Sequence, residues 1–154
     1  MLGFLNQAKT SILDRGINVN YDNFVIYFTT TPILGEAFFH PGGDHDSFIV
    51  VNITAHSDSY WWWDIMPATI IHEIGHAYHE HQLGGIQTNQ EINDLYNNAT
   101  WNDDSQQYYK ANVGEFFAVV FTEYVWGGYT GVSRPADEAY YRDVLLPWLN
   151  NLFN

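Results

Sequence analysis

The chain has 154 residues, a length that suits one domain with its own hydrophobic core, so we take residues 1–154 as a single domain. With 5 Lys+Arg against 18 Asp+Glu, the formal net charge is −13. An acidic surface of this kind repels the phosphates of nucleic acids and anionic lipids, so neither nucleic acid nor a membrane is an expected partner. The absence of cysteine excludes disulfides and thiolate metal sites and leaves His and carboxylate side chains as candidate metal ligands.

The apolar run at residues 1–5 is too short for the hydrophobic core of a secretory signal. We therefore expect either a cytosolic protein or a mature or excised domain, in the second case a secreted one that has lost its signal peptide. Residues 2–15 place apolar side chains at helical spacing before Gly16, which predicts a first helix that ends near Arg15.

Three strands are predicted to follow this helix. Residues 24–30 are β-branched and aromatic without polar alternation, which is typical of a strand covered on both faces. Residues 37–40 and 47–53 predict two further strands. One strand edge is expected to line a cleft, and we assign that role to the strand around residues 48–53, against which a peptide substrate would pair.

Two unusual segments lie around and after these strands. One contains histidines and aspartates, which occur both in metal sites and in ordinary turns: His40, Asp44, His45, Asp46 and His56. Their spacing does not distinguish a second metal site from turns. The other is a run of tryptophans, Trp61-Trp62-Trp63, directly after Tyr60. Four consecutive aromatic residues cannot all face one core, so these side chains either cap the core or line a groove before the next helix.

That next helix, predicted over residues 67–83 with Pro67 in its first turn, carries the sequence His72-Glu73-Ile74-Gly75-His76. Residues four apart lie on one helix face, so His72 and His76 can offer two imidazoles to one Zn²⁺ ion. Glu73 lies about 100° round the helix, beside the metal without binding it. The flanking isoleucines predict a buried helix, in which two histidines without a partner would be costly. The motif therefore predicts a zinc site that needs a third ligand.

No other histidine of this helix completes the site. His79 lies about 10.5 Å along the helix axis from His72, too far for both to hold one metal. Gln82 occupies the position of the third histidine of metzincins, so the chain does not belong to that class. His81 is expected to be solvated, and His79 either lies next to the site or is exposed.

A carboxylate from another helix is the expected third ligand, and the candidates are Glu91, Asp94, Glu115 and Glu123. We favour Glu115, because it is the single carboxylate in the first turn of an apolar helical run, where a charge needs a partner. Gly114 and Ala118 are small enough to let two helices approach closely. The alternatives are a capping box between Asn112 and Glu115, which would leave the carboxylate on the backbone, and Glu123 as the ligand.

Residues 137–153 predict a C-terminal helix that Pro147 kinks or splits. The predicted elements add up to an α+β fold. It has a small sheet in the N-terminal half, an HExxH helix in the middle and a helical C-terminal half.

The segment His72-Glu73-Ile74-Gly75-His76, with Gly114-Glu115-Phe116-Phe117-Ala118 after it, resembles the anthrax lethal factor-like zinc metallopeptidase domains. This gluzincin-type group is related to the clostridial Pro-Pro endopeptidases. The resemblance covers residues 67–125 and, in the order of elements alone, the N-terminal half. It implies that His72, His76 and Glu115 bind zinc and that Glu73 is the general base. It also implies that Tyr108 stabilises the oxyanion, with the adjacent Tyr109 as the alternative.

The sequence thus predicts a zinc-dependent endopeptidase that acts as a monomer on a peptide or protein substrate. The alternative is a non-catalytic zinc-binding module that uses the His-rich helix. Glu73 distinguishes the two, because metal capture needs ligands but has no use for a general base.

Overall fold

The chain folds around a pair of helices and a small sheet. The computed structural model describes residues 2–31, 37–42, 46–54, 62–100, 110–127 and 138–154, with the backbone alone described at 62–65 and 86–87. The N-terminal half contains α1 (Leu2–Asp14), a 3₁₀ turn (Tyr21–Asn23), β1 (Phe24–Thr29), β2 (Ala37–His40) and β3 (Ser47–Asn52). The elements that follow are α2 (Trp62–Gln82), α3 (Gly85–Thr88), α4 (Gln90–Asn98), α5 (Val113–Trp126), α6 (Glu138–Tyr140) and α7 (Leu146–Phe153). The predicted α+β class, with its sheet in the N-terminal half, is confirmed.

The three described strands form one mixed sheet in the order β1-β3-β2. β1 is parallel to β3, and β2 is antiparallel to it. This order places β3 in the middle with a partner on each side, so the prediction that residues 48–53 form the cleft edge was wrong. The edge strand β2 contacts α2 more extensively than the central strand β3, which also touches that helix. Strand order depends on pairing between distant residues, which a local pattern does not contain.

The two faces of the sheet differ. Ile49 and Val51 are fully buried, whereas Val25 and Tyr27 of β1 are 45% and 54% exposed. The expectation that β1 is covered on both faces was therefore wrong. The apolar residues on the outer face of β1 instead pack against side chains of the neighbouring strand. Tyr27, for example, contacts Phe48 with ring centroids 6.1 Å apart.

α2 is longer than predicted, because it begins at Trp62 and includes Pro67 in its interior rather than in its first turn. Because proline has no backbone N–H, one hydrogen bond of the helix is missing at that point. Gly84, with φ of 84°, follows the last turn of the helix, where a left-handed residue is typical. The face that α2 turns toward the core is fully buried at Met66, Ile70, Ile71, Ile74 and Ala77.

α5 packs against α2 and is buried on most of its surface. The two helices approach closely at Gly75, where a Cβ atom would lie 3.1 Å from the Cα of Ala118 and 3.2 Å from Cδ1 of Phe121. The small Ala118 therefore does permit a close approach, and Gly75 is its partner on α2. This approach brings the first turn of α5 to the motif helix.

The C-terminal segment is helical and is split, as predicted. A π-helical turn (Tyr141–Leu145) separates α6 from α7, and Pro147 lies at the start of α7. Leu145 and Leu149 are fully buried, and the Tyr140 hydroxyl donates a hydrogen bond to the backbone carbonyl of Leu95, at 2.8 Å, which ties this segment to α4. Among the described helices, none combines the length and apolar character needed to cross a membrane.

Candidate metal centre

Three side chains from α2 and α5 converge. His72 Nε2 lies 3.2 Å from Glu115 Oε2, and His76 Nε2 lies 3.5 Å from Glu115 Oε1. The two histidine Nε2 atoms are 3.1 Å apart. Within the described residues, this is the one group of three or more potential ligands close enough to share a metal ion. The residues predicted as zinc ligands are therefore brought together in the fold.

The spacing of the potential ligand atoms is close to what a zinc ion requires. Zinc bonds of about 2.0–2.2 Å in a tetrahedral arrangement separate ligand atoms by about 3.3–3.6 Å. The distances from the histidines to the two Glu115 oxygens, 3.2 Å to Oε2 and 3.5 Å to Oε1, lie at or within this range, and the two histidine nitrogens, 3.1 Å apart, lie slightly closer. Two imidazoles and one carboxylate are also a ligand set of catalytic zinc sites, which keep a fourth position for water or substrate.

Asn112 and Glu115 form half of the predicted capping box. The Asn112 side-chain oxygen accepts a hydrogen bond from the Glu115 backbone N–H, at 2.9 Å, so Asn112 is the N-cap of α5. The Glu115 carboxylate contacts the two histidines. The cap and the ligand position are therefore compatible, because the cap uses the backbone of Glu115 and leaves its side chain for the site.

The charge on Glu115 is stabilised by its neighbours. Burial by itself would raise the pKa of this carboxyl group, but hydrogen bonds and attraction from His72 and His76 outweigh burial and hold the pKa well below its usual range. The group is therefore an anion at neutral pH. An anionic carboxylate is the form that binds a divalent cation.

Glu73 lies beside this group and is 6% exposed. Burial raises the pKa of Glu73 to about 7, helped by repulsion from Glu115 and opposed by attraction to His76 and by a hydrogen bond from the Phe39 backbone N–H. The side chain is thus a buried carboxyl group next to the three potential ligands. A proton acceptor that works near neutral pH needs a pKa in this region.

Sequence reasoning missed Phe39, which reaches the site from the edge strand. Its ring lies parallel to the His76 ring, with an angle of 5° between planes and centroids 6.4 Å apart. It also meets the His81 ring edge to face, at 6.1 Å. The sequence predicted the strand at residues 37–40 but carried no signal that this strand would pack on the motif helix.

The remaining histidines of α2 take different positions. His79 is 2% exposed and stacks on Phe117 with centroids 4.9 Å apart, which removes the exposed alternative. Its Nε2 atom has no hydrogen-bond partner within the described part of the chain. Burial and repulsion from His76 lower the pKa of His79 to about 4, so the ring is neutral at neutral pH. His81 is exposed, as predicted.

The other candidate carboxylates do not join the site. Glu91 and Asp94 line a surface cavity of about 530 Å³ next to α4, together with Leu95 and Tyr140. Glu123 lies two turns further along α5 and is not in the group that could hold a metal. Glu115 is therefore the one predicted carboxylate that α5 brings to the two histidines.

Several predicted residues lie outside the described part of the chain. They are the oxyanion candidates Tyr108 and Tyr109, the aromatic Trp61, and the loop residues Asp44, His45 and His56. Trp62 and Trp63 lie in α2, with their backbone alone described. His40 is exposed and stacks on Phe48, with centroids 4.8 Å apart, on the outer face of the sheet.

The chain was also compared with protein families, curated proteins and solved structures. No family model, no curated protein and no solved structure matches it. The assignment of a function therefore rests on the geometry of the site and on the motif resemblance.

Proposed function

We propose that the protein is a zinc-dependent endopeptidase in which His72, His76 and Glu115 bind Zn²⁺ and Glu73 is the general base. The observation that carries this proposal is the convergence of His72, His76 and Glu115, whose side chains contact one another at 3.1–3.5 Å, beside a buried carboxyl group. A module that only captures zinc gains nothing from Glu73, whose burial costs free energy. Its presence next to the ligands supports hydrolysis over simple metal binding.

In the proposed reaction, zinc held by His72, His76 and Glu115 would polarise the scissile carbonyl group and make a water molecule more acidic. Glu73 accepts the proton of the attacking water and passes it to the leaving amine. The positive charge of the ion would lower the pKa of Glu73 from about 7, so the carboxylate is ready to accept a proton at neutral pH. The resemblance to lethal factor-like metallopeptidases supports these roles and adds Tyr108, or its neighbour Tyr109, as the hydrogen-bond donor to the oxyanion.

We place the substrate along the outer edge of β2. In an antiparallel pair the backbone groups of successive residues point alternately toward and away from the partner strand. Because the Phe39 N–H is directed to Glu73, the backbone groups of Ala37 share its outward direction, away from β3. An extended peptide that pairs with Ala37 would lie beside the metal ligands, and main-chain pairing of this kind fixes a substrate without regard to its side chains.

The test is cleavage of a mixed peptide library, followed by mass spectrometry, with and without a chelator. We expect cleavage that the chelator abolishes and that added zinc restores, together with about one zinc per chain in protein purified without chelator. Binding of zinc without any cleavage across the library would support the zinc-binding module instead. A zinc content near zero would contradict both functions.

A further inference from the structure

Phe39 joins the edge strand to the metal-site helix through two kinds of contact. Its ring packs against the rings of His76 and His81, and its backbone amide lies close enough to the Glu73 carboxyl group to help lower the pKa of that group. One residue of β2 therefore contacts one proposed ligand and the proposed base.

We propose that Phe39 is a positioning residue, whose ring fixes the orientation of the His76 imidazole and whose backbone amide fixes the Glu73 carboxylate. This inference rests on the proposed zinc-dependent function of the same site. An imidazole turns about its side-chain bonds unless a neighbour holds it, and partners outside the ligand set typically change metal affinity by 10–100-fold. Precise placement of a base matters as much, because catalysis requires the reacting groups to be aligned within a fraction of an ångström.

The neighbouring Phe38 has a contrasting position on the same strand. Successive side chains of a strand point to opposite faces, and the Phe38 ring meets Phe48 edge to face, at 6.2 Å, on the outer face of the sheet. Phe38 and Phe39 are the same residue type, lie on the same strand and are both partly exposed. Of the two, only Phe39 contacts the site. Any loss caused by weakening the strand in general should appear equally at both positions.

The first experiment compares Phe39→Leu with Phe38→Leu in the full chain. Zinc affinity is measured by competition with a chromogenic chelator, and kcat and KM are measured separately on a peptide substrate. We expect Phe39→Leu to weaken zinc binding by about tenfold and to lower kcat more than it changes KM, while Phe38→Leu stays within about twofold of the unchanged protein. Phe39→Tyr keeps the ring and should restore both values.

Equal behaviour of Phe39→Leu and Phe38→Leu would overturn the proposed role of the ring. If Phe39→Leu fails to fold, the comparison moves to Phe39→Met and Phe39→Tyr, of which only the second keeps the aromatic ring. Weaker zinc binding in Phe39→Met than in Phe39→Tyr would support positioning. Equal affinity in both would overturn it.

The second experiment measures amide hydrogen exchange by NMR in zinc-free protein, so it needs neither turnover nor metal. The Phe39 amide is directed to Glu73, whereas that of Phe38 faces β3 by the alternation of an antiparallel pair. We expect Glu73→Ala to speed exchange at Phe39 by at least about tenfold and to leave Phe38 unchanged. Unchanged exchange at Phe39 would refute the amide contact.

The results separate this inference from the proposed function. A protein that binds no zinc in its unchanged form contradicts the proposed function, while amide exchange still reports on the contact between Phe39 and Glu73. A protein that binds zinc and cleaves peptides, but in which Phe39→Leu has no effect on either, keeps the proposed function and loses the positioning role.

Discussion

The helix pair α2–α5 and the three-stranded sheet contribute to the site in different ways. The helices supply side chains: both histidines and the proposed base come from α2, and Glu115 comes from the first turn of α5. The sheet supplies backbone groups and one ring, all from the edge strand β2. In our proposal, therefore, the helix pair carries the chemistry, and the sheet edge positions both the reacting groups and the substrate.

From this division we expect the two regions to tolerate substitution differently. A ligand side chain has no substitute within the site, so its loss removes the function at once. A backbone group at a strand edge survives most side-chain substitutions. We therefore expect large effects from substitutions in the helix pair and smaller ones from substitutions in the sheet.

The largest effect is expected from Glu115→Ala, which removes one ligand from α5. The variant should lose its zinc and all measurable peptidase activity, because two histidines alone hold the ion weakly. Glu123→Ala, on the same helix but outside the site, is the control and should keep its zinc. Elemental analysis of both purified variants decides the matter. If Glu115→Ala kept its zinc and Glu123→Ala lost it, Glu123 would be the third ligand and Glu115 would not.

Glu73→Gln tests the base without removing a ligand. The amide has nearly the shape of the carboxylate but does not accept the proton, so turnover should fall by at least about 10²-fold. Zinc content should stay the same, since Glu73 is not in the ligand group. Normal turnover in this variant would mean that another group activates the water.

His79 tests whether the buried face of α2 makes stability depend on pH. Because its pKa falls from 6.5 in the unfolded chain to about 4 in the fold, its contribution to stability is complete above pH 6.5 and is lost as the pH falls toward 4. His79→Phe removes this titration and the unpartnered nitrogen together. In zinc-free protein, denaturant unfolding between pH 7 and 5 should therefore show a steeper loss of stability in the unchanged protein than in His79→Phe. Parallel curves for the two proteins would contradict this account.

Gly75→Ala tests the close approach of the two helices. The added methyl group would lie 3.1 Å from the Ala118 backbone. Overpacking of this kind costs about 1–3 kcal/mol of stability. The higher helix propensity of alanine offsets up to about 1 kcal/mol of that cost. A net loss of about 1–2 kcal/mol in the free energy of unfolding is expected, measured in urea. Gly3→Ala in α1 has no heavy atom within 4 Å of the new methyl group and should not destabilise the protein. Equal effects at both glycines would show that the contact is loose.

Ala37→Pro is expected to have the smallest effect and acts on the sheet. Proline is tolerated as the first residue of an edge strand, and here it removes one outward N–H. The loss of one hydrogen bond to substrate, worth about 0.5–1.5 kcal/mol, should lower kcat/KM by about 2–10-fold and leave zinc content unchanged. An unaltered kcat/KM would exclude substrate pairing at this position.

Local sequence patterns predicted α1, α2, α5, the C-terminal helical segment, the three strands and the three residues that meet at the candidate metal centre, but not α3 and α4. These predictions succeeded because they depend on local rules: side chains four residues apart share a helix face, and a single carboxylate in an apolar helical run needs a partner. The N-cap of Asn112 was predictable for the same reason.

Only the tertiary structure decided the rest. The order β1-β3-β2 made β2 the edge strand next to α2, which brought Phe39 to His76 and Glu73. Strand order and the packing of a strand on a helix depend on contacts between residues far apart in the chain, and the local spacing of residue types does not record them. The exposed Val25 and Tyr27 show the same limit. An apolar strand has the same sequence pattern whether its outer face is covered by another layer or, as here, is partly exposed to solvent.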